Sequence, residues 1–156
     1  MLRYINTDIV FQEIPDEVTL AINISNCPCR CPGCHSKFLW ADTGIELDEN
    51  AIDSFVAEFG SAITCISFMG GDSDPDAVNR LASHIRYTYP ECKIAWYSGR
   101  TIISQFISRQ NFDYIKVGPY IEHLGPLNSP KTNQRLYRLY HHNNTMEDIT
   151  SRFWKK

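Results

Sequence analysis

Four cysteines lie within eight residues of the chain, directly after a stretch of alternating apolar side chains. The alternation over residues 18–24 predicts a β-strand with one face in the core. Any fold of this chain must therefore lead a strand straight into a loop crowded with thiol groups, those of Cys27, Cys29, Cys31 and Cys34. In a reducing compartment, such a group of cysteines indicates metal binding or redox chemistry rather than disulfide bonds.

Apolar residues at helical spacing predict three helices after this loop. Asp48 is expected to cap the first of them, which ends at Gly60. The second helix has Pro75 in its first turn, where the missing N–H of proline is tolerated. The third predicted helix has the apolar residues Ile102, Ile103, Phe106 and Ile107. Short apolar runs predict buried strands over residues 63–69, 93–97 and 114–117.

The alternation of strands and helices predicts an α/β fold with a mainly parallel sheet. We expect one domain over residues 1–156, with a less regular segment from about residue 121. Right-handed crossovers bring the C-terminal ends of parallel strands to one edge of the sheet, where ligands bind in folds of this class. The sequence therefore predicts an active site built from the loops at that edge: the cysteine loop (residues 27–34), Gly70-Gly71-Asp72, Ser98-Gly99 and Gly118-Pro119.

Charge and hydropathy argue against two classes of function. The chain has 15 basic and 18 acidic residues and a formal net charge of -3, so a broad nucleic-acid-binding surface is not expected. Membrane insertion is not expected either, because no apolar run approaches the roughly 20 residues of a membrane-spanning helix. The N-terminal residues lack the uninterrupted apolar stretch of a secretory signal, and we therefore expect a cytoplasmic protein.

The cysteine loop allows more than one kind of metal site. Cys27, Cys31 and Cys34 have the spacing C-x3-C-x2-C, which suits three thiolate ligands of a [4Fe-4S] cluster with one iron left open. Four ligands from the same loop, with Cys29 or His35 among them, would instead close a tetrahedral zinc site. Structural zinc sites usually join two distant ligand pairs, so ligands from a single loop favour the cluster. A fully ligated electron carrier, with Cys29 as the fourth ligand, is the third alternative.

The spacing of the three cysteines after the first strand resembles that of the radical S-adenosylmethionine enzymes. Other features resemble one subfamily, the activating proteins of anaerobic ribonucleoside-triphosphate reductases. These features are the Cys-Pro-Gly-Cys run, Trp40, Gly70-Gly71-Asp72, residues 114–120, Gly125-Pro126-Leu127 and Thr132-Asn133-Gln134. The resemblance implies a partial, open βα barrel of the radical S-adenosylmethionine type.

The resemblance also implies a set of site residues. Cys27, Cys31 and Cys34 would hold the [4Fe-4S] cluster, and no catalytic side chain is implied beyond these ligands. Cys29 has no counterpart in the family pattern. The residues that would contact S-adenosylmethionine are Gly33, Cys34, His35, Gly70, Gly71 and Asp72. From its position after the predicted strand over residues 93–97, we also expect Ser98 to contact the ribose of this ligand.

The implied reaction is the reductive cleavage of S-adenosylmethionine, which yields methionine and a 5′-deoxyadenosyl radical. This radical would take a hydrogen atom from a glycine of the anaerobic reductase, the expected protein partner. A one-electron donor such as flavodoxin or ferredoxin is the second expected partner. The alternatives are an activase of another glycyl-radical enzyme, a radical enzyme with a small substrate, and a non-enzymatic zinc-binding interaction module.

Overall fold

A computed structural model describes residues 1–34 and 36–154 of the chain. Within these residues, eight strands form a single sheet, and two α-helices lie between successive strands of the chain. The strands are β1 (Leu2–Val10), β2 (Thr19–Ile24), β3 (Ile45–Leu47), β4 (Cys65–Met69), β5 (Lys93–Tyr97), β6 (Tyr114–Val117), β7 (Arg135–Tyr140) and β8 (Thr145–Asp148). The helices are α1 (Glu49–Phe59) and α2 (Pro75–Thr88), and short 3-10 helices span Lys37–Leu39, Arg109–Asn111 and Thr150–Phe153.

The sheet is mixed, with the strand order β3-β1-β2-β4-β5-β6-β7-β8. The three pairings among β2, β4, β5 and β6 are parallel. The four outer pairings, which involve β1, β3, β7 and β8, are antiparallel. The predicted α/β class with a mainly parallel sheet, and with it the partial βα barrel, is therefore wrong.

The outer strands explain this error. β8 is exposed along its whole length, and β1 has one fully buried residue, Leu2. Hydrogen bonds between backbones hold such strands to the sheet, and these bonds do not require apolar side chains. The strands can therefore lack the apolar alternation by which a core strand is predicted from sequence. β7 and β8 both lie in the segment after residue 121, for which the sequence predicts little regular structure.

Both α-helices form where their end signals predict them. The side chain of Asp48 accepts a hydrogen bond from the backbone N–H of Ala51 at the start of α1, and Gly60 ends that helix. Asp74 caps α2 in the same way through Ala77 N–H, and Pro75 occupies the first turn. Each cap satisfies a backbone donor that has no partner within the helix.

The third predicted helix does not form. The described residues between β5 and β6 contain turns and a single 3-10 turn, Arg109–Asn111. Ile103 and Ile107 pack against the core, but Ile102 is 79% exposed and Phe106 is 57% exposed. The helical spacing therefore reflects two separate core contacts of an irregular segment and not one buried helix face.

The central strands of the sheet are buried on both faces. Successive side chains of a strand point to opposite sides, and β4 and β6 are buried along almost their whole length. On one side, Ile66 and Phe68 of β4 pack in the main core with residues of both helices, among them Ile52 and Val78. Cys65 of β4 belongs to a smaller cluster on the other side, which also contains Ile14, Ala95, Tyr114 and Leu136. The helix-free face is the one that continues into the cavity beside the cysteine loop, described below.

In the part of the chain that the structure describes, neither helix combines the length and the apolar character needed to cross a lipid bilayer.

Candidate metal centre

A cavity lies at the edge of the sheet where the parallel strands β2, β4, β5 and β6 end. Its volume is about 190 Å³. All four cysteines of the cysteine loop line it, together with Gly70, Asp72, Gly99 and Lys116 from the loops and strands beside it. The parallel pairing of the central strands is what brings these loops together, since each of them follows the C-terminal end of a neighbouring strand.

Backbone hydrogen bonds hold the cysteine loop against the segment that follows it. Cys27 N–H donates to the carbonyl oxygen of Leu39 across 2.9 Å. Cys34 N–H donates to the carbonyl oxygen of Cys31 across 3.1 Å, within the loop itself. Gly33 has a φ of +76°, and the Glu122 side chain packs against it. These contacts fix the backbone path of the cysteine loop.

The aromatic ring of Trp40, six residues after Cys34, lies close to two cations. The guanidinium carbon of Arg30 is 5.8 Å from the ring centroid, and the ammonium nitrogen of Lys37 is 5.9 Å from it. Cations attract the electron-rich face of tryptophan at such distances. Arg30 and Lys37 are exposed, so this group packs the outside of the loop rather than the cavity.

Asp72 joins the loop after β4 to the loop after β5. One carboxylate oxygen accepts hydrogen bonds from the Gly99 N–H, across 2.8 Å, and from the Cys29 thiol, across 3.7 Å. The other accepts from the Ser98 hydroxyl across 2.6 Å. Asp72 is 8% exposed and Ser98 is 1% exposed, so this network is shielded from solvent.

The thiol of Cys29 lies in partly buried surroundings beside a carboxylate. Burial, followed by the negative charge of Asp72, raises the pKa of its thiol to about 12. A thiol with such a pKa keeps its proton at neutral pH, which fits its role as a hydrogen-bond donor to Asp72. All six cysteines lie within the described residues, and none of them forms a disulfide there.

Lys116 brings a positive charge into the cavity. Its side chain on β6 is 7% exposed, and its ammonium group donates to the carbonyl oxygen of Gly118 across 3.0 Å. The ammonium nitrogen also lies 5.5 Å from the ring centroid of Tyr97. Burial lowers the pKa of Lys116 to about 8, and the negative charge of Asp72 opposes this effect.

Gly70 and Gly71 form the turn at the end of β4 with positive φ angles of 112° and 97°. The Gly70 carbonyl oxygen accepts a hydrogen bond from the indole N–H of Trp96 across 2.7 Å, which ties the turn to the core. A β-carbon on Gly71 would stand 2.6 Å from a methyl carbon of Val78. The turn therefore has both the backbone angles and the close packing that require glycine.

The structure brings together five of the residues that the sequence predicts for the site. Cys27, Cys31, Cys34, Gly70 and Asp72 all line the cavity. Three others lie nearby without forming part of its lining, namely Gly33, Gly71 and Ser98. His35 lies outside the described residues.

Sequence reasoning missed several side chains of the cavity. Four of these side chains occupy paired positions near the C-terminal ends of the parallel strands and line the cavity. They are Asn23 of β2, Met69 of β4, Tyr97 of β5 and Lys116 of β6. Tyr120 and Gln134 line it from the segment after β6. The sequence did contain a signal for Lys116. It lies inside the apolar run 114–117, and because lysine is rarely buried, a lysine at such a position indicates a functional role.

The donor set of this cavity fits an iron–sulfur cluster. Free, unbridged cysteines converge on one space, and thiolates are the ligands that such clusters use. Among the described residues, no three His, Cys, Asp or Glu side chains gather around the position of a single metal ion. A four-iron cube places each thiolate on a different iron, so its ligands need not meet at one point.

The comparison with known families agrees with this donor set. Residues 18–135 match the family model described as a 4Fe-4S single cluster domain. The match runs from the start of the first core strand to β7 and covers most of the chain. The protein therefore belongs to this family of iron–sulfur cluster domains. No curated protein and no solved structure matches the chain significantly.

Proposed function

We propose that this protein is a radical S-adenosylmethionine enzyme that activates an anaerobic ribonucleoside-triphosphate reductase. It would cleave S-adenosylmethionine to methionine and a 5′-deoxyadenosyl radical, using one electron from a donor such as flavodoxin or ferredoxin. The radical takes a hydrogen atom from a glycine of the reductase, which leaves 5′-deoxyadenosine and a stored glycyl radical. A cytoplasmic location is part of the proposal, because thiols stay reduced there.

The observation that carries this proposal is the convergence of Cys27, Cys31 and Cys34, spaced C-x3-C-x2-C, on one cavity at the sheet edge. When bound, a [4Fe-4S] cluster supplies the electron for carbon–sulfur cleavage and an iron that the protein does not ligate. The role of Cys29 supports three ligands rather than four, since its thiol is engaged with Asp72.

Two features of the chain favour a ligand with both polar and apolar parts. The Gly70 turn exposes backbone to the cavity without a side chain in the way, which suits the approach of an amino-acid group. A neighbouring cavity of about 400 Å³ shares Cys34, Tyr97 and Gln134 with the first and continues to Leu127. Together they form a groove that is longer than the metal site alone.

The groove also suits a protein substrate. It is open to solvent on the side of residues 126–128, where an unprotected carbon radical would be quenched. A loop of the reductase that enters there would exclude water from the reacting atoms. We therefore propose that the cysteine loop and the segment of residues 118–133 contact the reductase. Hydrogen–deuterium exchange of the mixed proteins should show protection in both segments, and unchanged exchange in both would contradict this docking site.

The activity is tested by anaerobic reconstitution with iron and sulfide, followed by addition of the reductase, reductant and S-adenosylmethionine. We expect a glycyl radical in the electron paramagnetic resonance spectrum, and none when S-adenosylmethionine is left out. A Cys31→Ser variant serves as the control that lacks a ligand. A cluster-loaded protein that forms no glycyl radical on the reductase would refute this function. Bound zinc without acid-labile sulfide would favour an interaction module instead.

A further inference from the structure

Lys116 is the one buried cation among the described residues, and its charge has no direct partner there. None of the ion pairs within 4.0 Å in the described part of the chain includes Lys116. An ammonium group has three N–H donors, and the carbonyl oxygen of Gly118 accepts from one of them. Burying a charge without a counter-charge is costly, so its position needs an explanation.

Asp72 does not supply that counter-charge directly. Its carboxylate lowers the cost of burying Lys116 from a distance, but its oxygens accept hydrogen bonds from Ser98, Gly99 and Cys29. The carboxylate therefore joins the loops around the cavity, and most of its hydrogen-bond acceptor positions are occupied by these three donors. The cysteines of the loop line the same cavity, and a cysteine that binds a metal does so as a negatively charged thiolate.

The fold fixes Lys116 in this position. Lys116 pairs with Tyr97 of β5, the Tyr97 hydroxyl donates to the Glu13 carbonyl oxygen, and the Tyr97 ring lies beside the ammonium group. The backbone of Lys116 is held as well, because its carbonyl oxygen accepts from Ser98 N–H across 2.8 Å. The cation thus sits on a central strand rather than on a mobile loop, and it cannot easily move out to solvent.

We propose that Lys116 is the counter-charge for the anionic iron–sulfur assembly that the cysteine loop holds. This inference rests on the proposed cluster at Cys27, Cys31 and Cys34. Three thiolates outweigh the positive charge of a four-iron core, so the assembly is anionic, and reduction adds a further electron. A fixed cation in the same low-dielectric cavity favours the reduced state more than the oxidised state. Lys116 is therefore a positioning residue that raises the midpoint potential of the cluster.

The test compares midpoint potentials of reconstituted variants in an anaerobic redox titration followed by electron paramagnetic resonance. Lys116→Gln removes the charge but keeps an N–H that can donate to Gly118, whereas Lys116→Arg keeps the charge. Lys93→Gln, at the opposite end of β5, is the control for the change in net charge. We expect a more negative midpoint potential in Lys116→Gln and a nearly unchanged potential in Lys116→Arg and Lys93→Gln.

The remaining outcomes of these measurements also test the role of Lys116. A midpoint potential in Lys116→Gln equal to that of the wild type would overturn the inference, even if the affinity for S-adenosylmethionine fell. Where Lys116→Gln folds by circular dichroism but takes up no cluster, normal uptake by Lys116→Arg supports the inference, and loss of uptake in both variants overturns it. A wild-type protein that binds no iron–sulfur cluster would instead refute the proposed function itself.

Discussion

The hydroxyl group of Ser98 donates a hydrogen bond to the carboxylate of Asp72 across 2.6 Å, and both side chains are buried. The sequence predicts each of them separately as a contact of bound S-adenosylmethionine. In the structure they contact each other and join the loop after β4 to the loop after β5. Asp72 also accepts from Gly99 and Cys29, so a single carboxylate connects three segments around the cavity.

This network makes Asp72 important for stability. Asp72→Ala leaves the Ser98 hydroxyl and the Gly99 N–H without their acceptor in a buried place, and hydrogen bonds to charged groups contribute roughly 1.5–3 kcal/mol each. We expect the metal-free variant to lose about 2–4 kcal/mol of unfolding free energy in urea denaturation. Asp76→Ala, which removes an exposed carboxylate from α2, should change it by about 0.5 kcal/mol or less. Equal losses of unfolding free energy in the two variants would show that the hydrogen bonds of Asp72 do not stabilise the fold.

The four cysteines of the loop should behave unequally. Serine in place of Cys27, Cys31 or Cys34 removes a proposed ligand, and each variant should lose most of its iron and acid-labile sulfide after anaerobic reconstitution. Cys29→Ser keeps a donor for Asp72 and should retain the wild-type iron content. Cys92→Ser, at the other end of the sheet, is the matched control. A Cys29→Ser protein as poor in iron as Cys31→Ser would contradict the three-ligand assignment.

The turn after β4 should not tolerate a side chain. In Gly71→Ala the new β-carbon meets Val78 at 2.6 Å, and alanine disfavours a φ of +97°. Strain and overpacking of this kind cost about 1–3 kcal/mol each, which urea denaturation of the metal-free protein measures. Gly99→Ala provides the contrast, since its β-carbon would meet the Cys29 sulfur at 2.8 Å without an unfavourable φ. Its unfolding free energy should fall less, and equal losses would argue against the role of the Gly71 backbone.

The cap of α2 should give a pH-dependent contribution to stability. The Asp74 carboxylate accepts from the Met1 amino group across 2.7 Å and from Ala77 N–H, and these contacts lower its pKa below 3.8. Because the folded pKa is depressed, the stabilisation is present above 3.8 and is lost as the pH falls through the folded pKa. Asp74→Ala should cost about 1 kcal/mol at neutral pH. Urea denaturation should show this difference shrinking well below pH 3.8, and a constant difference would disprove the linkage.

The parts of the fold that follow from the sequence are those with local signals. Asp48, Gly60 and Pro75 mark helix ends because caps and proline act within one turn. The strand at residues 93–97 was predictable because it is central and buried between neighbours. The mixed character of the sheet was not predictable in this way, since β7 and β8 pair through backbone groups that any sequence provides.

The same distinction applies to the site. Spacing alone places Cys27, Cys31 and Cys34 together, because they share one loop. The contact of Asp72 with Ser98 depends on the parallel register of β4 and β5, and the position of Lys116 depends on β6 beside them. Such contacts between distant residues have no local signature, so only the structure reveals them.

The central claim is that Cys27, Cys31 and Cys34 hold a four-iron cluster with one iron free for S-adenosylmethionine. The most direct measurement is the electron paramagnetic resonance spectrum of the reduced, reconstituted protein before and after S-adenosylmethionine is added. The account predicts a [4Fe-4S] signal whose g-values change when the compound binds at the free iron. A cluster signal that stays the same at saturating S-adenosylmethionine would contradict the account. A cluster whose four irons are all ligated by the protein would contradict it as well.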